Sequence, residues 1–320
     1  MKVLFIIDRV ELKYFEFNDL VTNFWFIKGL LEKGAEVDIA TIDNLGLRDG
    51  IAYANARKSY LKDGNIFYEK EFVQKEIESY NLVMFRPDPP VDLDYINATY
   101  IFDFVDESKT RVINSPKAIR NFNEKLHAVK FKHLMPENIV TNSKEDILEF
   151  LDKHEHLVLK PLNACFGSGV MLLKKGDMNT TAIINTMTAN GTRMIMVQKY
   201  IEKAKFGDKR VLFLGGKVLD YCIQKLPGQN DFKFNDHCDK NIIRAGLTEK
   251  EKSDFAPVAK ELNEIGLSMV GLDVIDGQII EINVTSPCYF IREINQHFRI
   301  HLEETLVDYL LNSSRVPMLS

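Results

Sequence analysis

The chain carries four cysteines in 320 residues, and none of them stands in a Cys-x-x-Cys pair. Cys165, Cys222, Cys238 and Cys288 lie far apart, which excludes a disulfide framework and a zinc knuckle and predicts reduced thiols. His237-Cys238, set between Asp236 and Asp239, has metal-binding residue types, yet adjacent residues rarely chelate one ion without further partners. His297 and His301 are spaced to share a helical face, but no glutamate follows His297, so the metalloprotease motif is missing. No apolar run approaches the length of a membrane span, and Met1 to Asp8 offers only five apolar residues before a carboxylate, too few for a signal-peptide core. A cytoplasmic protein without a membrane partner is expected. The chain also lacks a lysine and arginine block: its net charge of -5 leaves no electrostatic footprint for nucleic acid. Any anionic substrate must then be gathered by a local cluster of cations. Gly215-Gly216-Lys217 lacks the spacing and the Ser/Thr of a P-loop, and no Gly-x-Gly-x-x-Gly is present, which argues against dinucleotide binding. There is no internal repeat and no low-complexity segment.

What is present is ordinary for a globular chain, with 45% apolar and 27% charged residues, and the length predicts about two domains on size alone. Val3 to Ile7 reads as a strand, Asn18 to Lys33 as a helix stopped by Gly34, and Ala35 to Ile42, Asn81 to Arg86 and Arg111 to Asn114 as further strands. Strands alternating with helices predict an open α/β domain with a parallel sheet covered on both faces. A polar surface loop is expected over Asp43 to Asp63. After Ser115-Pro116 the pattern changes. Lys117 to Phe131 is helical in periodicity, Ser143 to His154 is a second helix with acidic residues in its first turn, and Leu157 to Lys160, Val170 to Lys174 and Met194 to Tyr200 are strands. These predict a compact α+β unit of three strands around one helix. From Lys209 onward another α/β and hairpin unit is expected, with a helix from Thr248 to Gly266.

Chemistry concentrates in a few places. Glu281 and Asn283 are two apart on a predicted strand, so they share a face, and a carboxylate beside a carboxamide oxygen is a hard-cation donor set that suits Mg2+. Lys160 interrupts an apolar strand and precedes a loop of small residues, Asn163 to Gly169, where backbone N–H groups could approach phosphate closely. A lysine snorkelling beside an ordinary turn would look the same. Val197 to Glu202 ends a strand with alternating polar tips, as a segment reading an adenine edge through its backbone would. Gly207-Asp208-Lys209-Arg210 puts an arginine, planar and always charged, at the start of another strand.

The order Lys125, Lys160-Pro161, Gln198 to Glu202, Asp208 and Arg210, Asp273, Glu281-x-Asn283 resembles the ATP-grasp carboxylate–amine ligases. The resemblance is closer to the bacterial type of glutathione synthetase. It rests on Phe85-Arg86-Pro-Asp88-Pro89-Pro90, Asn97-Ala98-Thr99-Tyr100, Asn123-Glu124-Lys125-Leu126, Lys160-Pro161-Leu162, Gly207 to Val211 and Glu281 to Pro287, and it covers nearly the whole chain. It implies a pre-ATP-grasp open-sheet domain over 1–122, an ATP-grasp lid over 123–202 and an ATP-grasp C-terminal half over 203–320. It implies ATP and Mg2+ or Mn2+. Lys125 and Lys160 would contact phosphates, Gln198, Lys199, Tyr200 and Ile201 would hold the adenine, and Asp208 the ribose. Arg210 would assist the reacting γ-phosphate, and Asp273, Glu281 and Asn283 would hold the metal. Arg86, Asn235, Ser286 and Arg292 match family positions near the peptide substrate. The implied reaction joins γ-glutamylcysteine and glycine through an acyl phosphate, releasing ADP and phosphate, in a homo-oligomer, a tetramer by analogy.

The chain departs from the family after Pro227, where Lys225 and Lys233 stand at positions expected to be arginine. The Asn163 to Gly169 loop is less glycine-rich than usual, and one residue is inserted around Cys288 to Phe290. A ligase with a different donor or acceptor, or an ATP-binding regulatory protein without catalysis, are the competing readings. For Asp273 to share a metal with Glu281, a three-residue hairpin connection over Ile275 to Gly277 is expected. It pairs Asp273 with Ile279 and Gly271 with Glu281, with positive φ at Gly277.

Overall fold

In a computed structural model, residues 1–8, 19–165, 167–228 and 241–313 are described. Among them, eight strands form the first sheet: β1 (Lys2–Ile7), β2 (Glu36–Thr41), β3 (Leu45–Arg48), β4 (Ile51–Lys62), β5 (Asn65–Tyr68), β6 (Val73–Glu76), β7 (Leu82–Phe85) and β8 (Arg111–Ile113). The main path runs β3-β4-β2-β1-β7-β8, and β1, β2, β7 and β8 are mutually parallel. Helix α1 (Thr22–Glu32) covers one face, while α2 (Leu93–Ile101) and α3 (Pro116–Arg120) cover the other. β1 shows why the central strands are apolar on both faces. Val3, Phe5 and Ile7 pack with Phe26 and Ile27 of α1, whereas Leu4 and Ile6 pack with Tyr95 and Ala98 of α2.

The second sheet is antiparallel, in the order β11-β10-β12-β9, from β9 (Asn138–Thr141), β10 (His156–Pro161), β11 (Met171–Lys174) and β12 (Ile195–Lys199). Helices α4 (Lys144–His154) and α5 (Thr180–Met187) close one face, packing Ile147, Leu151 and Ile184 on Leu157, Leu159, Leu173, Ile195 and Val197. The third sheet has the order β16-β15-β13-β17-β18, with β14 added to β13. It contains β13 (Asp208–Leu214), β14 (Lys217–Val218), β15 (Cys222–Lys225), β16 (Ile242–Ala245), β17 (Met269–Ile275) and β18 (Gln278–Asn283). Helix α6 (Glu249–Glu264) starts with a reciprocal Thr248–Glu251 capping box and lays Phe255, Val258 and Leu262 against this sheet. Helices α7 (Ile291–Phe298) and α8 (Leu302–Ser313) follow the last strand. No helix among the described residues is long and apolar enough to cross a membrane.

Several local expectations are corrected. The loop expected over 43–63 is a hairpin, β3 turning into β4 at Asp49-Gly50 (φ 51° and 82°). Its buried face is built from Ala52, Ala54 and Ala56, whose small side chains give little hydropathy contrast. The helix expected over 117–131 is broken into α3 and a 3-10 stretch at His127–Leu134 that kinks at Phe131. The middle unit has a fourth strand and a second helix. His301 does not share a helical face with His297, because α7 ends at Phe298 and Arg299 adopts φ 56°. His237, Cys238, Lys233 and Asn235 lie outside the described residues.

Candidate active site

The third sheet presents two chemically distinct faces, and strand alternation creates both. On β13, Val211 and Phe213 turn to α6, as does Lys209, which pairs with Glu251 at 2.8 Å; Asp208 and Arg210 turn the other way, into a cavity. Arg210 is directly opposite Asp273 on β17, and Asp273 is directly opposite Glu281 on β18. The three therefore form one row across adjacent strands. Arg210 Nη1 donates to Asp273 Oδ1 at 2.7 Å, and Asn283 Nδ2 donates to the same oxygen at 3.0 Å.

The route to this row differs from the expected one. Ile275 pairs with Gln278, so the connection is the two-residue turn Asp276-Gly277, with φ of 50° and 73°. That double positive φ is a type I′ geometry. A regular ladder from such a turn would put Asp273 opposite Ile280, leaving it on the wrong side from Glu281. A bulge between Asp273/Val274 and Ile279/Glu281 absorbs Ile280 and shifts the register by one residue. Ile279 and Ile282 then both reach the core, and Glu281 and Asn283 both reach the cavity. The bulged Ile280 carbonyl accepts from Lys160 Nζ at 3.2 Å.

Lys160 comes from β10 of the second sheet, where Leu157 and Leu159 face the α4 and α5 core while Val158 and Lys160 face the cavity. Gln198 on β12 is directly opposite Val158 and faces the same way. Lys125 sits in the turn before the 3-10 stretch. Its Nζ donates to Ala164 O at 2.7 Å and to Glu281 Oε1 at 2.8 Å, joining the small-residue loop to the third sheet. Neighbours fix that turn. Asn123 Nδ2 donates to Leu162 O and Asn163 Oδ1, both at 3.0 Å, and Glu124 Oε1 accepts from Val284 N at 2.7 Å and from Thr285 N and Oγ1 at 3.0 Å. The cavity holds about 330 Å3 and is walled by both sheets and these loops.

Residues 1–120 match the model of the prokaryotic glutathione synthetase N-terminal domain, and residues 124–299 that of the prokaryotic glutathione synthetase ATP-grasp domain. The chain is 35% identical to a glutathione synthetase of Gloeobacter violaceus, with 98% of each chain covered. It is also 35% identical to that of Escherichia coli, over 86% of this chain and 88% of the relative. The chain belongs to the prokaryotic glutathione synthetase family. Among solved structures, a D-cycloserine synthetase has a TM-score of 0.68 at 14% identity, covering 98% of this chain and all of its own. An ATP-grasp ligase of Chryseobacterium gregarium has a TM-score of 0.64 at 18% identity, covering 98% of this chain and 97% of its own. At such identities these two show the ATP-grasp fold alone. The protein is thus an ATP-dependent ligase acting on small molecules.

A glutathione synthetase family member must hold a polyanionic nucleotide, and the cavity's electrostatics are built for exchange of partners. Burial lowers the Lys160 ammonium to about 8, with Lys125 pushing the same way and Glu281 opposing. Burial would lower Lys125 as well, but its contact with Glu281 overrides this and leaves it raised. Burial raises the Asp208 carboxyl to about 7 against the pull of Arg210, and Asp273 is raised for the same reason. Desolvation works against the Arg210 charge, yet Asp208, Asp273 and Glu281 together hold it above its ordinary range. Lys225, 3% exposed, faces the cavity and lies 6.0 Å from the Phe290 ring, and burial lowers it, helped by Arg210.

Several cavity atoms are left unsatisfied. Arg210 Nη2 pairs with Asp208 Oδ2 at 2.8 Å, and Asp208 Oδ1 is buried without a hydrogen bond. Gln198 Nε2 and Arg210 Nε are likewise buried without one. Such atoms cost about 1–3 kcal/mol each when nothing pairs with them, so a polar ligand fits here. For a metal, no group of three His, Cys, Asp or Glu side chains is gathered among the described residues. The available set is two carboxylates, Asp273 and Glu281, with the Asn283 carboxamide. It suits Mg2+, which binds through one or two carboxylates plus substrate phosphates. Flipping the Asn283 amide exchanges its N for its O beside the carboxylates.

Of the predicted residues, Lys125, Lys160, Gln198, Lys199, Tyr200, Ile201, Asp208, Arg210, Asp273, Glu281, Asn283 and Ser286 line this one cavity. The N–H groups of Lys199 and Tyr200 are engaged by Glu137 O at 2.9 Å and His156 O at 3.0 Å. Arg86 does not line it. Its Nε donates to Asn23 Oδ1 at 2.6 Å and its Nη2 to Pro287 O at 2.8 Å, beneath the Thr285 to Pro287 segment. Arg292 is on α7 against Glu293 and Asp19. Sequence reasoning overlooked Asp88 and Glu124. Both sat inside motifs quoted for the resemblance, and only their distant partners, Ser286 and the 284–285 backbone, reveal them.

Proposed function

We propose that the protein joins the cysteine carboxyl of γ-glutamylcysteine to glycine, forming glutathione, ADP and phosphate. The observation that carries this is the Arg210–Asp273–Glu281 row with Asn283 alongside, facing Lys125 and Lys160 across one cavity. A carboxylate is a poor electrophile, so it must first be phosphorylated; the amine then attacks the acyl phosphate. Asp273, Glu281 and Asn283 would hold Mg2+ or Mn2+, which supplies charge neutralisation between phosphate groups. Lys125 and Lys160 bind phosphate oxygens, giving up Glu281 and the Ile280 carbonyl. Arg210 stabilises the charge that shifts during phosphoryl transfer. Gln198 and the Lys199 to Ile201 segment hold the adenine against Val158, and Asp208 takes the ribose. Arg86 supports, and Ser286, Arg292 and Asn235 contact, the peptide. Closing the second sheet over the third keeps water from the acyl phosphate. The division at 122 and 202, the homotetramer and the cytoplasmic location belong to the same proposal.

Lys225, standing where the resemblance expects arginine, favours one second reading: a ligase with a different donor or acceptor, since lysine cannot reproduce a bidentate arginine contact. Purified protein incubated with ATP, Mg2+ and a panel of γ-glutamyl dipeptides and amines, with products read by mass, separates the two. Glutathione and ADP are expected to dominate. Preferred ligation of another pair selects the second reading, and release of AMP rejects the acyl-phosphate route.

A further inference from the structure

The carboxylates of the cavity fall into three kinds. Asp208, Asp273 and Glu281 each face a cation, Arg210 or Lys125. Glu124 accepts on Oε1 from the backbone and hydroxyl donors of Val284 and Thr285. Asp88 has neither in contact: among the described residues its hydrogen-bond partner is the Ser286 hydroxyl, on Oδ1, it forms no ion pair, and the charges acting on it from farther off, Asp8 and Arg86, oppose each other. It is carried by the loop after β7, at the carboxyl end of a parallel strand, where open α/β sheets place ligands. Ser286, which holds Asp88, lies three residues beyond Asn283, at most about 10 Å of extended chain from that proposed metal ligand. Asp88 and Pro89 also line a second cavity of about 580 Å3, whose walls carry Asp8, Asp43, Asp92 and Asp94 but no lysine or arginine among the described residues.

Resting on the ligase reading above, we propose that Asp88 receives the ammonium group of the acceptor amino acid and takes the proton it must shed before attack. An ammonium has no free electron pair and cannot act as a nucleophile. One proton passes from nitrogen to the Asp88 carboxylate, and the freed pair forms the C–N bond at the acyl carbon. The C–O bond to phosphate breaks with its electrons, and a second N–H proton leaves with the phosphate; Asp88 returns its own to water. Burial, which raises the Asp88 carboxyl despite the Ser286 hydrogen bond, makes it a better base than an exposed aspartate. Ser286 is the positioning residue that aims it.

Hydroxylamine provides the test, because it is uncharged at neutral pH and needs neither recognition as a cation nor deprotonation. Wild-type turnover with the dipeptide and glycine checks the underlying reading on its own. Asp88→Asn is expected to lose about 10²-fold or more in kcat/KM for glycine while trapping the acyl phosphate with hydroxylamine at close to the wild-type rate. Asp88→Glu, which keeps the carboxylate but displaces it, is expected to recover part of the glycine loss with hydroxylamine trapping still close to wild type, guarding against a folding defect in the first variant. Equal losses with both acceptors, or unchanged glycine kinetics, overturn the proposal. So does a rise in KM for the dipeptide alone, which would assign Asp88 to the donor's ammonium.

Discussion

The two faces of the third sheet are made by the same strands, yet one is a core and the other a charged cavity. Toward α6, Val211, Phe213, Leu272, Val274, Ile279 and Ile282 bury apolar surface, and the charged pair there, Lys209–Glu251, also completes the helix cap. Toward the cavity, Asp208, Arg210, Asp273, Glu281 and Asn283 stand together, partly unsatisfied and with the Asp208 and Asp273 carboxyls raised by burial. Packing on the helix side bears the stability that lets the cavity side remain electrostatically costly without a ligand. Damage to one face should therefore spare the other's property.

The largest expected effect is on the helix side. Phe255→Ala removes a fully buried ring and should lower unfolding free energy by about 3–5 kcal/mol in a denaturant titration, with KM for ATP unchanged in the folded protein. A matching loss of ATP affinity would mean the faces are not separable. Next comes Arg210→Ala, expected to lower kcat by about 10² to 10³ while shifting KM for ATP far less, since its contact strengthens as charge moves. Steady-state kinetics near wild type would remove Arg210 from the chemistry. The smallest effect is Lys209→Met, which leaves the buried Glu251 with its Thr248 contacts and should cost about 1–3 kcal/mol in thermal melts. Any large change in kcat from that substitution would contradict the division.

The comparison also shows what a single sequence discloses. The parallel strands β1 and β7 were legible because burial on both faces makes them almost wholly apolar, and the lysine, arginine and carboxylate positions were legible through an order that resembles the ATP-grasp ligases. The turns were not. Asp49-Gly50, Asp63-Gly64 and Asp276-Gly277 all form two-residue hairpins with positive φ at both positions, and the Asp-Gly pair was the available signal each time. At the last of them, the expectation that Asp273 shares a face with Glu281 and Asn283 holds by a different device, the Ile280 bulge. Its trace in the sequence is Ile279 and Ile282, three apart and both buried, which strict alternation forbids. The break after Arg120 has a tertiary cause, since Asn123 and Glu124 serve the 162–163 and 284–285 segments rather than a helix. Such partners, about 40 and 160 residues away, leave no local pattern.

The central claim is that the cavity face of β13, β17 and β18 takes nucleotide and metal together. Calorimetric titration of a non-hydrolysable ATP analogue, with and without Mg2+, into the wild type and Glu281→Gln tests it most directly. The account predicts that Mg2+ strengthens binding to the wild type by at least about tenfold and that this gain is largely lost in Glu281→Gln, because a metal site's affinity follows its ligand charge. An equal Mg2+ gain in both proteins would contradict it.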